Sequence, residues 1–145
     1  GRAMRTALDL EKLGARTLWV DCDVLQADGG TRTAAITGSY VALALAIRKL
    51  MAEGKLSESP LRRAVAAVSI GIVQKQALLD LCYEEDVAAE VDLNLVMDSG
   101  GEFIELQGTG EEATFSEEQL AEMLELGKAG VRELLAAQQA ALTVL

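Results

Sequence analysis

Apolar and polar positions alternate and recur along the chain in a pattern that predicts helix, strand, helix, strands, helix. In residues 2–13, Met4, Ala7, Leu8 and Leu13 recur at helical spacing, and Gly14 is a stop. Residues 17–25 alternate as a strand, with Leu18, Val20, Cys22 and Val24 on one face and Trp19, Asp21, Asp23 and Leu25 on the other. Residues 33–53 make the strongest helix. Ile36, Tyr40, Leu43, Ile47 and Leu50 form its stripe, and Val41, Ala44, Leu45 and Met51 make the other sides apolar, as expected of a helix buried between layers. Lys55–Pro60 is a polar connector holding the only proline. Ala64–Gln74 reads as a fully buried strand and Ala77–Cys82 as its hairpin partner, followed by an acidic turn, Tyr83–Glu90.

Val91–Asp98 alternates again, with Val91, Leu93, Leu95 and Met97 on one face and Asp92, Asn94 and Val96 on the other. The turn Asp98-Ser-Gly-Gly101 leads into a partner strand, Glu102–Gly108, with Ile104 and Leu106 inward. Simple register would set Asp92 near Gln107 and Asn94 near Glu105. Opposed acids on one face cost energy, so an arginine, a proton or a metal ion is expected there, unless the face is simply solvated. Ser116 and Gln119 form a capping box and Phe115 with Leu120 a hydrophobic staple, opening a last helix that runs to about Leu142. Such an order implies one domain over residues 1–145, an α/β (α+β) sandwich of helices on a mixed or antiparallel sheet.

Composition narrows the chemistry. With no histidine, acid–base work falls to carboxylates, and histidine-based nucleophile triads are excluded. Cys22 and Cys82 fall in predicted strands, without zinc or disulfide spacing, and read as buried thiols of a reducing cytoplasm. No run approaches 18 consecutive apolar residues and no signal-peptide pattern opens the chain, so no membrane segment is expected. The net charge of −10 argues against broad nucleic-acid binding by this surface, leaving Arg2, Arg5, Arg32, Arg62 and Arg63 as candidates for a local basic rim.

Chemistry gathers at Asp21–Thr33. Gly29 and Gly30 let the backbone bend and approach a ligand, and Thr31 is a good N-cap. A helix N-terminus offers unpaired N–H groups to an anion, and Arg32 adds a fork of donors matched to phosphate. Gly30, Thr31 and Arg32 therefore read as a phosphate seat, or else as a capped glycine turn with a surface arginine. Asp21 and Asp23 are expected to fix the turn or meet an arginine from a neighbouring segment, with a catalytic role as the alternative.

The wording D-C-D-V-L-Q-A-D-G-G-T-R-T-A-A-I-T-G at 21–38 resembles the central motif of ribonuclease PH, a phosphate-dependent exoribonuclease that trims transfer RNA 3′ ends. Three further segments are similar: A-V-S-I-G-I at 67–72, L-L-D-L-C-Y-E-E-D-V-A-A-E-V-D-L-N at 78–94, and G-E-F-I-E-L-Q-G-T-G-E at 101–111. The resemblance implies a ribosomal protein S5 domain 2-like fold, phosphate held by Gly30, Thr31 and Arg32, and a catalytic pair at Asp86 and Asp92; the two would hold Mg²⁺, or Asp92 would instead act as general acid on the leaving 3′-oxygen. It implies tRNA 3′ ends and other RNA as substrates, inorganic phosphate as co-substrate, a homo-oligomeric ring of six and a cytoplasmic setting. Cys82 departs from the acid or amide common in relatives. The family also carries a phosphate- and RNA-contacting arginine in a stretch that would precede Gly1. The chain is thus expected to be a C-terminal portion, with a possible separate N-terminal segment, and to show weak or no turnover alone while keeping the phosphate seat.

Overall fold

The strand at the centre of the molecule is the most apolar one. A computed structural model describes residues 1–111 and 113–144. Within it β1 (Val65–Val73) is buried along almost its whole length. It is flanked by β2 (Gln76–Leu79) and β3 (Val91–Asp98), with β4 (Phe103–Gly110) outside β3, giving an antiparallel sheet of order β2-β1-β3-β4. The β1–β2 turn puts Gln74 and Lys75 at positive φ, as a tight two-residue hairpin demands.

Among the described residues the helices are α1 (Arg2–Thr6), α2 (Leu10–Leu13), α3 (Thr31–Ala52), α4 (Tyr83–Ala88) and α5 (Glu117–Val144). One sheet face carries Val65, Ala67 and Val96, which pack with Tyr40, Leu43, Ala44 and Ile47 of α3. The other carries Ala66, Val68, Ile70, Leu93, Leu95 and Met97, which pack with Met123 and Val131 of α5. Gly127 permits this contact, because a Cβ there would lie 2.6 Å from a methyl of Leu95. β2 covers only the far half of β1, and helix side chains satisfy the rest of that edge. Thr37 Oγ1 bonds both the N–H and the carbonyl of Ala67, at 3.0 Å each, and Gln138 Nε2 donates to the carbonyl of Val65 at 2.9 Å. The predicted cap of α5 is present: Ser116 N–H donates to Gln119 Oε1 and Gln119 N–H to Ser116 Oγ.

Several expectations are corrected. The single helix over 2–13 is two short ones, because residues 7–9 instead bond the chain at 60–62 and Asp9 caps α2. Residues 17–25 form no strand: nothing among the described residues pairs with them, and a strand needs a ladder. Trp19 (91% exposed) and Leu25 (95%) therefore stand in water. The thiols of Cys22 and Cys82 are exposed rather than buried, Cys22 lying 3.3 Å from Ser39 Oγ and Cys82 preceding α4. The acidic turn is helical as α4, whose Glu85 carboxylate accepts from Cys82 N–H at the helix start. α3 buries one face only. It is long and apolar enough to cross a membrane by length and composition, yet Thr33, Ser39, Tyr40, Leu43, Ala44 and Ile47 pack inward.

The β3–β4 register also differs from the simple hairpin. Asp92 faces Thr109, Asn94 faces Gln107 and Val96 faces Glu105, with an irregularity next to Met97. The turn is longer than four residues, since Asp98 N–H bonds the carbonyl of Glu102. Asp92, Asn94, Glu105 and Gln107 still share one face. Leu106 is exposed, because α5 lies over β1, β2 and β3 and leaves the β4 edge uncovered.

Candidate active site

The site is built where the loop before α3 meets the root of α4. Asp28 Oδ1 accepts from Gly29 N–H at 2.9 Å and from Tyr83 N–H, tying the loop to the first residue of α4. Gly29 makes that closeness possible: a Cβ there would lie 2.0 Å from the carbonyl oxygen of Leu81. Thr31 was expected as the N-cap. Gly30 holds that place instead, at φ +67°, and Thr31 is the first helical residue, its hydroxyl donating to the carbonyl of Asp28 at 2.9 Å. Glycine suits the cap because the left-handed conformation is strained for other residues. Thr33 Oγ1 donates to Gly30 O at 2.7 Å. Among the described residues no acceptor meets the N–H groups of Thr31, Arg32 or Thr33. Three donors at the positive end of a long helix are thus left free.

Arg32 reaches over the sheet to Glu105, with Nη2 2.5 Å from Oε1. One guanidinium contact is used there, and the remaining donors of the fork are free for an anion. Glu105 lies on the same face as Gln107, Asn94 and Asp92, so Arg32 and Asp92 address one surface rather than opposite sides of the molecule.

Asp92 is half-buried and accepts from Asn94 Nδ2 at 3.3 Å. Burial raises its carboxyl above the usual carboxylate range, and the negative charges of Asp86 and Glu111 raise it further. Asp86, exposed on α4, is thereby brought beside Asp92, as the E-D-V-A-A-E-V-D spacing anticipates. Glu111 was given no role by sequence reasoning, although it ends a motif that was noticed. Ser69, buried on β1 opposite Asn94, was likewise passed over. Its only sequence signal is a lone hydroxyl in an apolar run. Among the described residues no group of three potential metal ligands occurs.

The arginines divide. Arg62 pairs with Asp9 and Arg63 with Asp98, away from the acids. Arg2, Arg5 and Arg32 line a trough of about 1030 Å³ between α1, residues 16–22, α3 and β4, with Leu8, Leu13, Ile36 and Leu43 as its apolar floor. Glu105 and Gln107 reach its wall, while Asp86 and Asp92 do not. The candidate acids therefore sit beside this trough, and the clustered charges and the free helix end mark them better than depth does. Asp21 and Asp23 are exposed and make no ion pair among the described residues.

The fold is an antiparallel sheet with helices on both faces, and its candidate site sets an open helix terminus and an arginine on the face that carries paired aspartates. The chain matches the model of the 3′ exoribonuclease family, domain 2, over residues 63–130, and that of domain 1 over residues 1–49. It belongs to the 3′ exoribonuclease family. It is similar to the ribonuclease PH of Exiguobacterium sibiricum, at 61% identity over 97% of this chain and 56% of that protein. It is also similar to those of Synechococcus sp. (61%; 99% and 60%) and Bacillus subtilis (56%; 96% and 57%). The chain spans less than two thirds of the length of these relatives. Among solved structures it resembles an archaeal exosome core (TM-score 0.68, 21% identity, 95% of this chain and 60% of that one). Rice Rrp46 is also similar (TM-score 0.65, 22%, 82% and 51%). These two likenesses bear on the fold.

Proposed function

We propose that the chain carries the phosphate seat and the acidic residues of a phosphate-dependent 3′-to-5′ exoribonuclease that trims tRNA 3′ ends. The observation that carries this reading is the shared sheet face. The open N-terminus of α3, with Arg32, and the Asp86–Asp92 pair address the same surface. The ribonuclease PH name of the relatives supports it.

Inorganic phosphate, held at Gly30, Thr31 and Arg32, attacks the phosphorus of the last phosphodiester. The bond from phosphorus to the 3′-oxygen of the preceding nucleotide breaks, releasing a nucleoside diphosphate. The new RNA end takes a proton on that oxygen. In this reading Asp92, whose carboxyl is raised by burial and by the charges of Asp86 and Glu111, donates it. The helix terminus and Arg32 offset the repulsion between two anions. In the alternative role, Asp86 and an ionised Asp92 would hold Mg²⁺ in place of Asp92 acting as proton donor, and the ion would supply positive charge between the anions. Arg2 and Arg5 are the local contacts for an RNA backbone that the net charge would otherwise repel. A ring of six in the cytoplasm, as the family resemblance implies, completes the reading.

The test is a short end-labelled RNA incubated with the chain, with and without inorganic phosphate. Labelled nucleoside diphosphate is expected only with phosphate, and slowly from these 145 residues. Release of monophosphate, or release independent of phosphate, would overturn the reading. Phosphate binding that depends on Arg32, with no release even when the N-terminal segment that the resemblance implies is supplied as a second polypeptide, would favour a noncatalytic RNA-binding ring or scaffold subunit of the exosome-core type. The likeness to exosome subunits is what keeps that second reading in view.

A further inference from the structure

Ser69 interrupts a strand that is otherwise built of valine, alanine, isoleucine and glycine. It is 2% exposed, and its Oγ is shielded from solvent with no hydrogen-bond partner. A buried hydroxyl without a partner is costly and rare in native proteins. Other hydroxyls between α3 and the sheet are satisfied: Thr37 by Ala67 and Thr33 by Gly30. Ser69 differs only in what it faces. Its Oγ lies 2.9 Å from where a Cβ on Gly30 would stand, with Thr33 Oγ1 3.1 Å from the same point. Thr33 has already given its proton to Gly30 O, so Ser69 holds the uncommitted donor at this cradle. Above it stand the free N–H groups of the first turn of α3, and across the ladder Ser69 is paired with Asn94, the donor to Asp92.

We propose that Ser69 is a further ligand of inorganic phosphate, its hydroxyl donating to an oxygen of the anion seated at the start of α3. This rests on the reading of Gly30, Thr31 and Arg32 as the phosphate seat. Glycine is needed at 30 on a second ground besides φ: a Cβ there would stand 2.9 Å from Ser69 Oγ and crowd the hydroxyl. The role as phosphate ligand also explains why a hydroxyl is kept where alanine would pack as well.

Inorganic phosphate is titrated into the 145-residue chain and into Ser69→Ala, Ser69→Cys and Arg32→Ala, by calorimetry and by thermal unfolding. Ser69→Ala is expected to weaken phosphate binding about 10- to 100-fold, the worth of one hydrogen bond to a charged group. It is also expected to raise the unfolding temperature without phosphate, since an unpaired buried hydroxyl is removed. The stabilisation by phosphate therefore shrinks from both ends. Ser69→Cys keeps the volume with a weaker donor and should fall between the two. Wild-type phosphate affinity in both Ser69 variants, with Arg32→Ala losing it, would sink the role of Ser69 and leave the seat standing. Affinity unchanged in Arg32→Ala as well, or no phosphate binding by the unmodified chain, would remove the seat and this inference together.

Discussion

Asp92 and Asp98 stand on one strand and one sheet face, yet they are treated in opposite ways. Asp98 lies at the hairpin end. Burial alone would raise its carboxyl, but the N–H of Glu102, the Arg63 guanidinium and the N–H of Gly100 outweigh that and hold it below the usual range. Asp92 lies at the α3 end. It is given one long hydrogen bond from Asn94 and two like charges, and its carboxyl is raised. The fold thus concentrates donors where a turn must be held and withholds them at Asp92, where the proposed function has a proton or a cation to be met. A carboxylate left poorly matched is the better marker of chemistry.

Exchanging the treatment of the two ends gives the largest expected effect. Asp92→Asn should lower phosphate-dependent nucleoside diphosphate release by roughly 100-fold or more, the usual worth of a group acting in the transition state, with the fold intact by circular dichroism. Asp98→Asn should leave release within about twofold. Equal losses in the two variants would erase the distinction. The glycines offer a second comparison. Gly29→Ala forces a Cβ against the carbonyl of Leu81, backbone on backbone, and should cost about 2 kcal/mol or more in urea unfolding while abolishing phosphate binding. Gly101→Ala meets nothing within 4 Å and suffers only from its φ of +83°, so about 1 kcal/mol and unchanged phosphate binding are expected. Smaller again, Asp98→Ala should cost about 1 kcal/mol through the lost bonds to Gly100 (2.7 Å) and Glu102 (3.1 Å). Arg63→Ala should cost less, since that side chain is half in water.

The sheet end of this comparison was legible in the chain. Val91–Asp98 alternates so regularly that its bounds and both faces follow from period two, and the Ser116–Gln119 box announces α5 at its first turn. The 17–25 segment has the same period without the same fate. Alternation shows that a segment would suit a ladder, and it does not supply the neighbouring strand. α3 likewise carries apolar residues on sides that nothing among the described residues covers. In the site, spacing put Arg32 at a helix start and Asp86 near Asp92. It could not show that Arg32 turns to Glu105, which depends on a register displaced by the longer Asp98 turn. Ser69 was hidden for a simpler reason: a hydroxyl in an apolar strand looks alike whether or not it has a partner.

The finest test follows stability against pH, where the two aspartates must give opposite slopes. Asp92 has its folded-state pKa above the ordinary aspartate value of 3.8, so its contribution to stability is fully present below that value and is lost as pH rises through the folded pKa. Asp92→Asn removes that loss. The variant should match the parent in strongly acid solution and exceed it at neutral pH, by about 2 °C in unfolding temperature at most, because the carboxyl is only half-buried. Asp98 has its pKa below 3.8, so its contribution is present above that value and is lost as pH falls through the folded pKa. Asp98→Asn should therefore be the less stable protein at neutral pH and converge on the parent in acid. Urea unfolding of the three proteins between pH 3 and pH 7 reads both slopes at once. Parallel curves would mean that the two ends of β3 hold their carboxylates alike, and that Asp86 and Glu111 do not press on Asp92.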